Sequence, residues 1–149
     1  MAIILYPLGE DDTEAVMEQL RVPQGEREVT RQTQTLRARQ EALISNDQRP
    51  SQIYHLLADI SDPARKVFTA ATESWLARQR VAQFERKFRH VRSDLDGSDL
   101  RRMGIPPGPI YRTLLDRLRA ARLDGEVKNR EEEETLVGQL LSHSYSDQT

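Results

Sequence analysis

The chain contains no cysteine. That excludes a disulfide scaffold, a thiolate zinc site and a thiol nucleophile. No run of apolar residues approaches the 18 or more that a membrane span needs. The opening Met1-Ala2-Ile3-Ile4-Leu5 has no basic residue ahead of it, and the first base is Arg21, so no signal-peptide pattern is present. Apolar residues are only 37%, aromatics 5%, and mean hydropathy is −0.70. Convincing apolar/polar alternation is also missing, which argues against strands. Lysine is scarce: 19 of the 22 bases are arginine, the rest being Lys66, Lys87 and Lys128.

What is present is charge, unevenly placed. The formal net charge is −2 over 149 residues. The first 20 residues carry five acids and no base, and residues 124–149 carry seven acids and two bases. The intervening 21–123 therefore stand at +8. A chain of this length suits one ordinary domain or two small ones.

The periodicity predicts an all-α fold. Ala2–Tyr6 reads as an apolar helix end continuing something longer upstream, stopped by Pro7 and Gly9. Residues 10–20 form a short helix with acids in its first turn, where the helix dipole favours them. Residues 25–44 form a longer helix with a narrow stripe, Val29, Leu36 and Leu43, expected to be only partly buried. Ser51 to Asp59 presents Ile53, Leu56 and Leu57. Asp62-Pro63 starts the next helix as an N-cap acid and first-turn proline. Val67, Phe68, Ala71 and Trp75 form one apolar set. Val81, Phe84, Phe88 and Val91 form another that cannot share its face, so a break is expected near 74–78. From Ser93 glycine and proline become frequent. Ser98 can cap a short helix to Met103, ended by Gly104. Ile105-Pro106-Pro107-Gly108-Pro109 is a rigid linker. A helix from Pro109 to Arg122 buries Ile110, Leu114, Leu115, Leu118 and Ala121, with Gly125 as its terminating glycine. Asn129 caps a last helix whose acids, Glu131–Glu134, serve its own N-terminus. Ser142–Thr149 is expected to fray. The division is 1–92, helical and continuing something upstream, and 93–149.

No arrangement reads as an active site. Asp94-Leu95-Asp96 has the spacing of paired carboxylates that hold metal ions for nucleotidyl transfer. It lacks the upstream Gly-Ser phosphate turn. As a calcium loop it fails too, because its twelfth position is Ile105 rather than glutamate. His55, His90 and His143 have no ligand spacing, and no nucleophile elbow occurs. The cations carry more. On a helical wheel for 78–92, Arg80, Arg86, Lys87 and His90 fall opposite the apolar stripe, flanked by Arg78, Arg89 and Arg92. Arg112 and Arg119 face away from the leucines of their helix, and Arg101 and Arg102 precede the linker. Guanidinium forks match phosphate oxygens bidentately, so the pattern fits an RNA or DNA backbone. The alternative is a solvated face with ion pairs such as Glu85–Arg89. Tyr111 and Tyr145 are the only aromatics expected outside the core, so recognition by shape and phosphate is favoured over base stacking. Gly108-Pro109 opening a helix also offers backbone N–H groups to an anion, beside Arg112.

Leu95-Asp96-Gly97-Ser98-Asp99-Leu100, then Gly104 and Pro107-Gly108-Pro109, followed by Ala121-Arg122-Leu123-Asp124-Gly125, resemble the C-terminal part of bacterial class II tRNA nucleotidyltransferases and poly(A) polymerases. Leu20–Arg27 and Arg49–Tyr54 resemble the body helices of that family more weakly. The chain departs at Arg112, where the family often has glycine. The resemblance implies a helical body (1–92) and tail (93–149) that grip tRNA or another structured RNA. A head domain carrying the Gly-Ser and Asp-x-Asp motifs, with magnesium and ATP or CTP, would do the chemistry. Those motifs are absent here. The expectation is thus a cytoplasmic, non-catalytic, RNA-positioning piece without a cofactor or metal of its own, partnered by RNA and the head. Its expected phosphate contacts are Arg80, Arg86, Lys87, Arg89, Arg92, Arg101, Arg102, Gly108, Arg112 and Arg119. The alternative is a helical interaction or homodimerisation module using the Val29/Leu36/Leu43 stripe and residues 2–6.

Overall fold

The computed structural model describes residues 1–146, with side chains placed through Ser142. The expectations for His143, Tyr145 and 147–149 lie outside the described residues. Ten α-helices and one 3-10 turn make up its regular elements, with no strand among the described residues, so the chain is all-α. It divides into two compact units, Met1–Arg89 and the residues from His90 on.

The first unit contains α1 (Ala2–Leu5), α2 (Glu10–Gln19), α3 (Gln24–Ala38), α4 (Gln40–Ile44), α5 (Pro50–Leu57), α6 (Asp62–Ala71) and α7 (Trp75–Arg86). The turn Phe88–His90 follows. α3 packs against α6, with α1 against both, while α4 and α5 pack against α7. Met17, Leu36, Leu43, Leu57, Ala64, Phe68 and Ala77 are fully buried.

Three expectations change here. The long helix 25–44 is two helices, broken at Arg39. Leu36 and Leu43 of its stripe are sealed in the core, while Val29 is half-buried. The reason lies in the threonines beside the stripe. Thr30 and Thr33 are also buried, and their hydroxyls donate to the Glu26 and Val29 carbonyls at 2.8 and 2.7 Å. A threonine that satisfies its hydroxyl on the preceding turn can be buried almost as a hydrocarbon. The stripe is therefore not a surface for a partner, although Ile3 and Ile4 are exposed. Finally, Ser61 rather than Asp62 stands at the N-cap of α6. The break before α7 falls at Thr72–Ser74, where the Ser74 hydroxyl accepts from the Ala77 N–H at 3.2 Å.

Arginine has a structural use throughout this unit. Arg27 donates to the Met17 and Val22 carbonyls at 3.1 and 3.0 Å, at the end of α2. Arg37 donates to Tyr6 and Leu8 carbonyls at 2.6 and 2.8 Å, just after α1, with its guanidinium 5.3 Å from the Tyr6 ring centroid. Arg39 and Arg65 reach carbonyls at the end of α5, Leu56 for the one and Leu57 and Ile60 for the other. Arg78 donates to Thr72 after α6, and Arg80 to Leu43 in the last turn of α4. A helix leaves its last carbonyls without partners and carries negative potential there. A forked cation can serve two such oxygens at once, which an ammonium does less well.

The second unit contains α8 (Gly97–Arg102), α9 (Pro109–Asp124) and α10 (Arg130–Ser146). α8 and α10 each pack on α9. Leu95, Leu100, Ile105, Leu114, Leu118 and Val137 form its core, with Tyr111, Leu115 and Leu136 against them. Ile110, expected inside, is 38% exposed in the first turn of α9. Gly125 ends α9 in the left-handed region at φ 75°, as expected of a terminating glycine. α10 continues through Ser146, past the point where fraying was expected.

Candidate nucleic-acid interface

In the second unit a set of carboxylates fixes the loops before any ligand is considered. Asp96, not Ser98, caps α8: its Oδ1 accepts from the Ser98 and Asp99 N–H groups at 2.8 and 3.0 Å. Asp99 returns the favour, accepting from the Asp96 N–H at 2.9 Å. This reciprocal box satisfies orphan donors at the helix start. Asp99 is itself buried and accepts from Arg130 at 2.6 Å and from Arg102. The Arg130 hydrogen bond, with the Asp96 backbone donor behind it, lowers the Asp99 carboxyl to about 2.

Glu133 was expected to serve its own helix end. It is instead 0% exposed. Its carboxylate accepts from the Asp94 and Leu95 N–H groups at 3.0 and 2.9 Å and from Arg122 Nε at 2.6 Å. Arg122 also binds Asp94. The expected cap role falls to Glu132, which accepts from the Lys128 N–H at 2.7 Å while Asn129 accepts from the Glu132 N–H at 2.9 Å. Nothing in the acidic run marks Glu133 as the buried member. Its signal is positional: it is one turn before Val137 on the same face of α10.

The linker is held as firmly. Gly104, at φ 82°, turns the chain after α8, and the Ile105 N–H donates to the Leu100 carbonyl at 3.1 Å. Tyr111 then donates its hydroxyl to the Ile105 carbonyl at 2.8 Å, and its ring lies over Gly97. Gly108 has extended backbone at φ 168°, and a Cβ added there would meet nothing. The fold does not require glycine at this exposed place.

These contacts sort the expected phosphate set. Arg80 is 8% exposed and donates to the Leu43 carbonyl, and burial lowers its guanidinium pKa. It is withdrawn from the set. The wheel misplaced it because α7 buries Ala77, Arg80, Val81 and Phe84, and the helix stops at Arg86 rather than running to residue 92. Arg89 pairs with Glu85, Arg102 with Asp99, and Arg119 is half-buried. Arg86 and Lys87 in the first unit are exposed, as are Arg92, Arg101 and Arg112 in the second. Among the described residues these five make no ion pair. Arg112 stands one turn into α9, following Gly108 and Pro109.

One residue was missed. Trp75, assigned by its spacing to the α6 stripe, is 69% exposed. Ser74 in front of it is the signal: a cap there makes Trp75 the first residue of a new helix.

Among the described residues no group of three or more His, Asp or Glu side chains is placed to hold a metal ion. The donor set at Asp94 and Asp96 does not fit magnesium either. One carboxylate is engaged by Arg122, the other by two backbone donors. No helix among the described residues is long and apolar enough to cross a membrane.

The chain is similar to the A-adding tRNA nucleotidyltransferase of Geobacter sulfurreducens, 36% identical over 94 residues. That match takes in 63% of this chain and only 11% of the relative. It relates the chain to a tRNA nucleotidyltransferase. No family model matches the chain. No solved structure matches it either.

Proposed function

We propose that the chain is a non-catalytic, RNA-binding part of a tRNA nucleotidyltransferase or poly(A) polymerase. It holds tRNA, or another structured RNA, so that the 3′ end meets a head domain outside these residues. In the family it resembles, the head brings magnesium and ATP or CTP; here Asp94 is engaged by Arg122 and Asp96 by two backbone donors. The proposed body is 1–92 and the proposed tail 93–149, working in the cytoplasm.

One observation carries this reading. Arg101 and Arg112, in the stretch that carries the family pattern, and Arg92 just before it are exposed cations that make no ion pair among the described residues, where other arginines are committed to Asp94, Asp99 and Glu133. The Gly108 backbone, exposed and with open space around it, stands four residues before Arg112. Phosphate oxygens are the natural partners of such groups.

The test is titration of labelled tRNA against the chain and against an Arg101→Gln/Arg112→Gln variant, at several salt concentrations. The variant is expected to melt like the parent, bind more weakly, and lose about 0.7–0.9 from the log–log salt slope for each contact removed. Unchanged binding would sink the reading. So would nucleotide incorporation by this chain alone with ATP, CTP and magnesium.

A further inference from the structure

Trp75 is the only tryptophan in the chain, and it stands on the surface at the start of α7. The three phenylalanines are buried. Tyr6 pairs with Phe68, and Tyr54 with Phe84. Trp75 has no ring partner among the described residues. It opens a shallow groove along α7, lined by that helix and Lys87 just after it. Gln79, Gln83 and Arg86 follow it at helical spacing, with Arg78 and Lys87 alongside. From Trp75 to Arg86 this face runs about 16 Å at 1.5 Å per residue.

The charge on the groove is of one sign. Arg78 is fixed by Nε and Nη2 to the Thr72 carbonyl at 3.0 and 2.5 Å. Arg86 and Lys87 are exposed and make no ion pair among the described residues. The acid on this helix, Glu85, pairs with Arg65 and Arg89 and lines the adjoining groove, which shares Arg78, Ala82 and Arg86 with this one. Glu73, next in sequence, is exposed and does not line this groove.

We propose that this face of α7 binds a short single-stranded RNA segment, with a base stacked on the Trp75 indole and phosphates on Arg86 and Lys87. A protein partner would need a patch of several apolar side chains at its centre. Here there is one large aromatic, two amides and three cations, which complements bases joined by phosphates. The proposal rests on the reading of the chain as RNA-binding. It adds unpaired bases to the shape and phosphate contacts expected from the sequence.

The lone tryptophan is also the probe. The full chain is titrated with an unstructured eight-nucleotide RNA of mixed sequence, with the same RNA as a duplex, and with an acidic peptide of matched charge. Tryptophan emission is followed, with anisotropy of the labelled RNA in parallel. Single-stranded RNA is expected to quench the emission saturably and more strongly than duplex or peptide. Trp75→Ala is expected to weaken that RNA by about 5- to 150-fold, with an unchanged melting curve, while Trp75→Phe stays close to the parent. Absence of quenching, or equal affinity in Trp75→Ala, overturns the proposal, and quenching by the peptide as strong as by RNA assigns the face to a protein. If tRNA binding depends on Arg101 and Arg112 but not on Trp75, this site falls and the broader reading stands. If single strands quench while tRNA does not bind, the site stands and the tRNA reading falls.

Discussion

At the residue scale the molecule is governed by buried carboxylates. Glu133 holds two backbone N–H groups and Arg122 in a sealed place. Removing one partner of a buried pair leaves the other charge uncompensated. Glu133→Ala is expected to destabilise the protein by about 3–5 kcal/mol in urea unfolding. Asp99 gives a pH signature instead. Its carboxyl is lowered to about 2 in the folded protein, from an ordinary value near 3.8. A depressed folded pKa stabilises the fold above the unfolded value and loses that contribution as pH falls through the folded one. The melting temperature should therefore drop between about pH 4 and pH 2. Asp59, Glu85 and Asp62, also held low by cationic neighbours, contribute to the same limb. Asp99→Asn should flatten part of it and leave the rest. Neither carboxylate stood out in the sequence: a buried acid and a solvated acid are spelled alike, and the partners of Glu133 lie 11 to 39 residues away.

At the element scale the helices were legible where local chemistry fixes them. The end of α9 at Gly125, the proline at the start of α6 and α9, and the turn at Gly104 follow from backbone restrictions that one or two residues impose. The break at Arg39 has no such marker, since no glycine or proline stands between α3 and α4. The faces of α3 and α7 were misjudged for one shared reason. Polar side chains there complete their hydrogen bonds on carbonyls and become core, as Thr30, Thr33 and Arg80 do. Arg80→Lys is thus expected to lower unfolding free energy by about 1.5–3 kcal/mol, the range for a bond to a charged donor, and to leave the salt slope of RNA binding unchanged. Arg86→Gln should do the opposite.

At the scale of the whole molecule, the sum of −2 conceals a middle stretch at +8, and only part of that excess faces outward. Nine cations are candidates for phosphate contact, and about four to six neutralised phosphates would give a log–log salt slope of about −3 to −5. Five remain open, Arg86, Lys87, Arg92, Arg101 and Arg112, so the slope should lie near −4. A measurement of tRNA affinity between low and moderate salt checks this value, and a slope beyond about −6 would show the paired arginines on phosphate as well. The fold class was legible because it depends on composition and local pattern. The division of arginines between support and surface was not, because it depends on where helices end in space. That division has a chemical consequence. A dicarbonyl reagent that condenses with free guanidinium groups should tag the arginines in two waves. The outward ones react first with the fold intact. Arg27, Arg37, Arg65 and Arg80, clasped to carbonyls, react only as their helices let go. The order of tagging, read by mass spectrometry, would thus chart which helix ends loosen first.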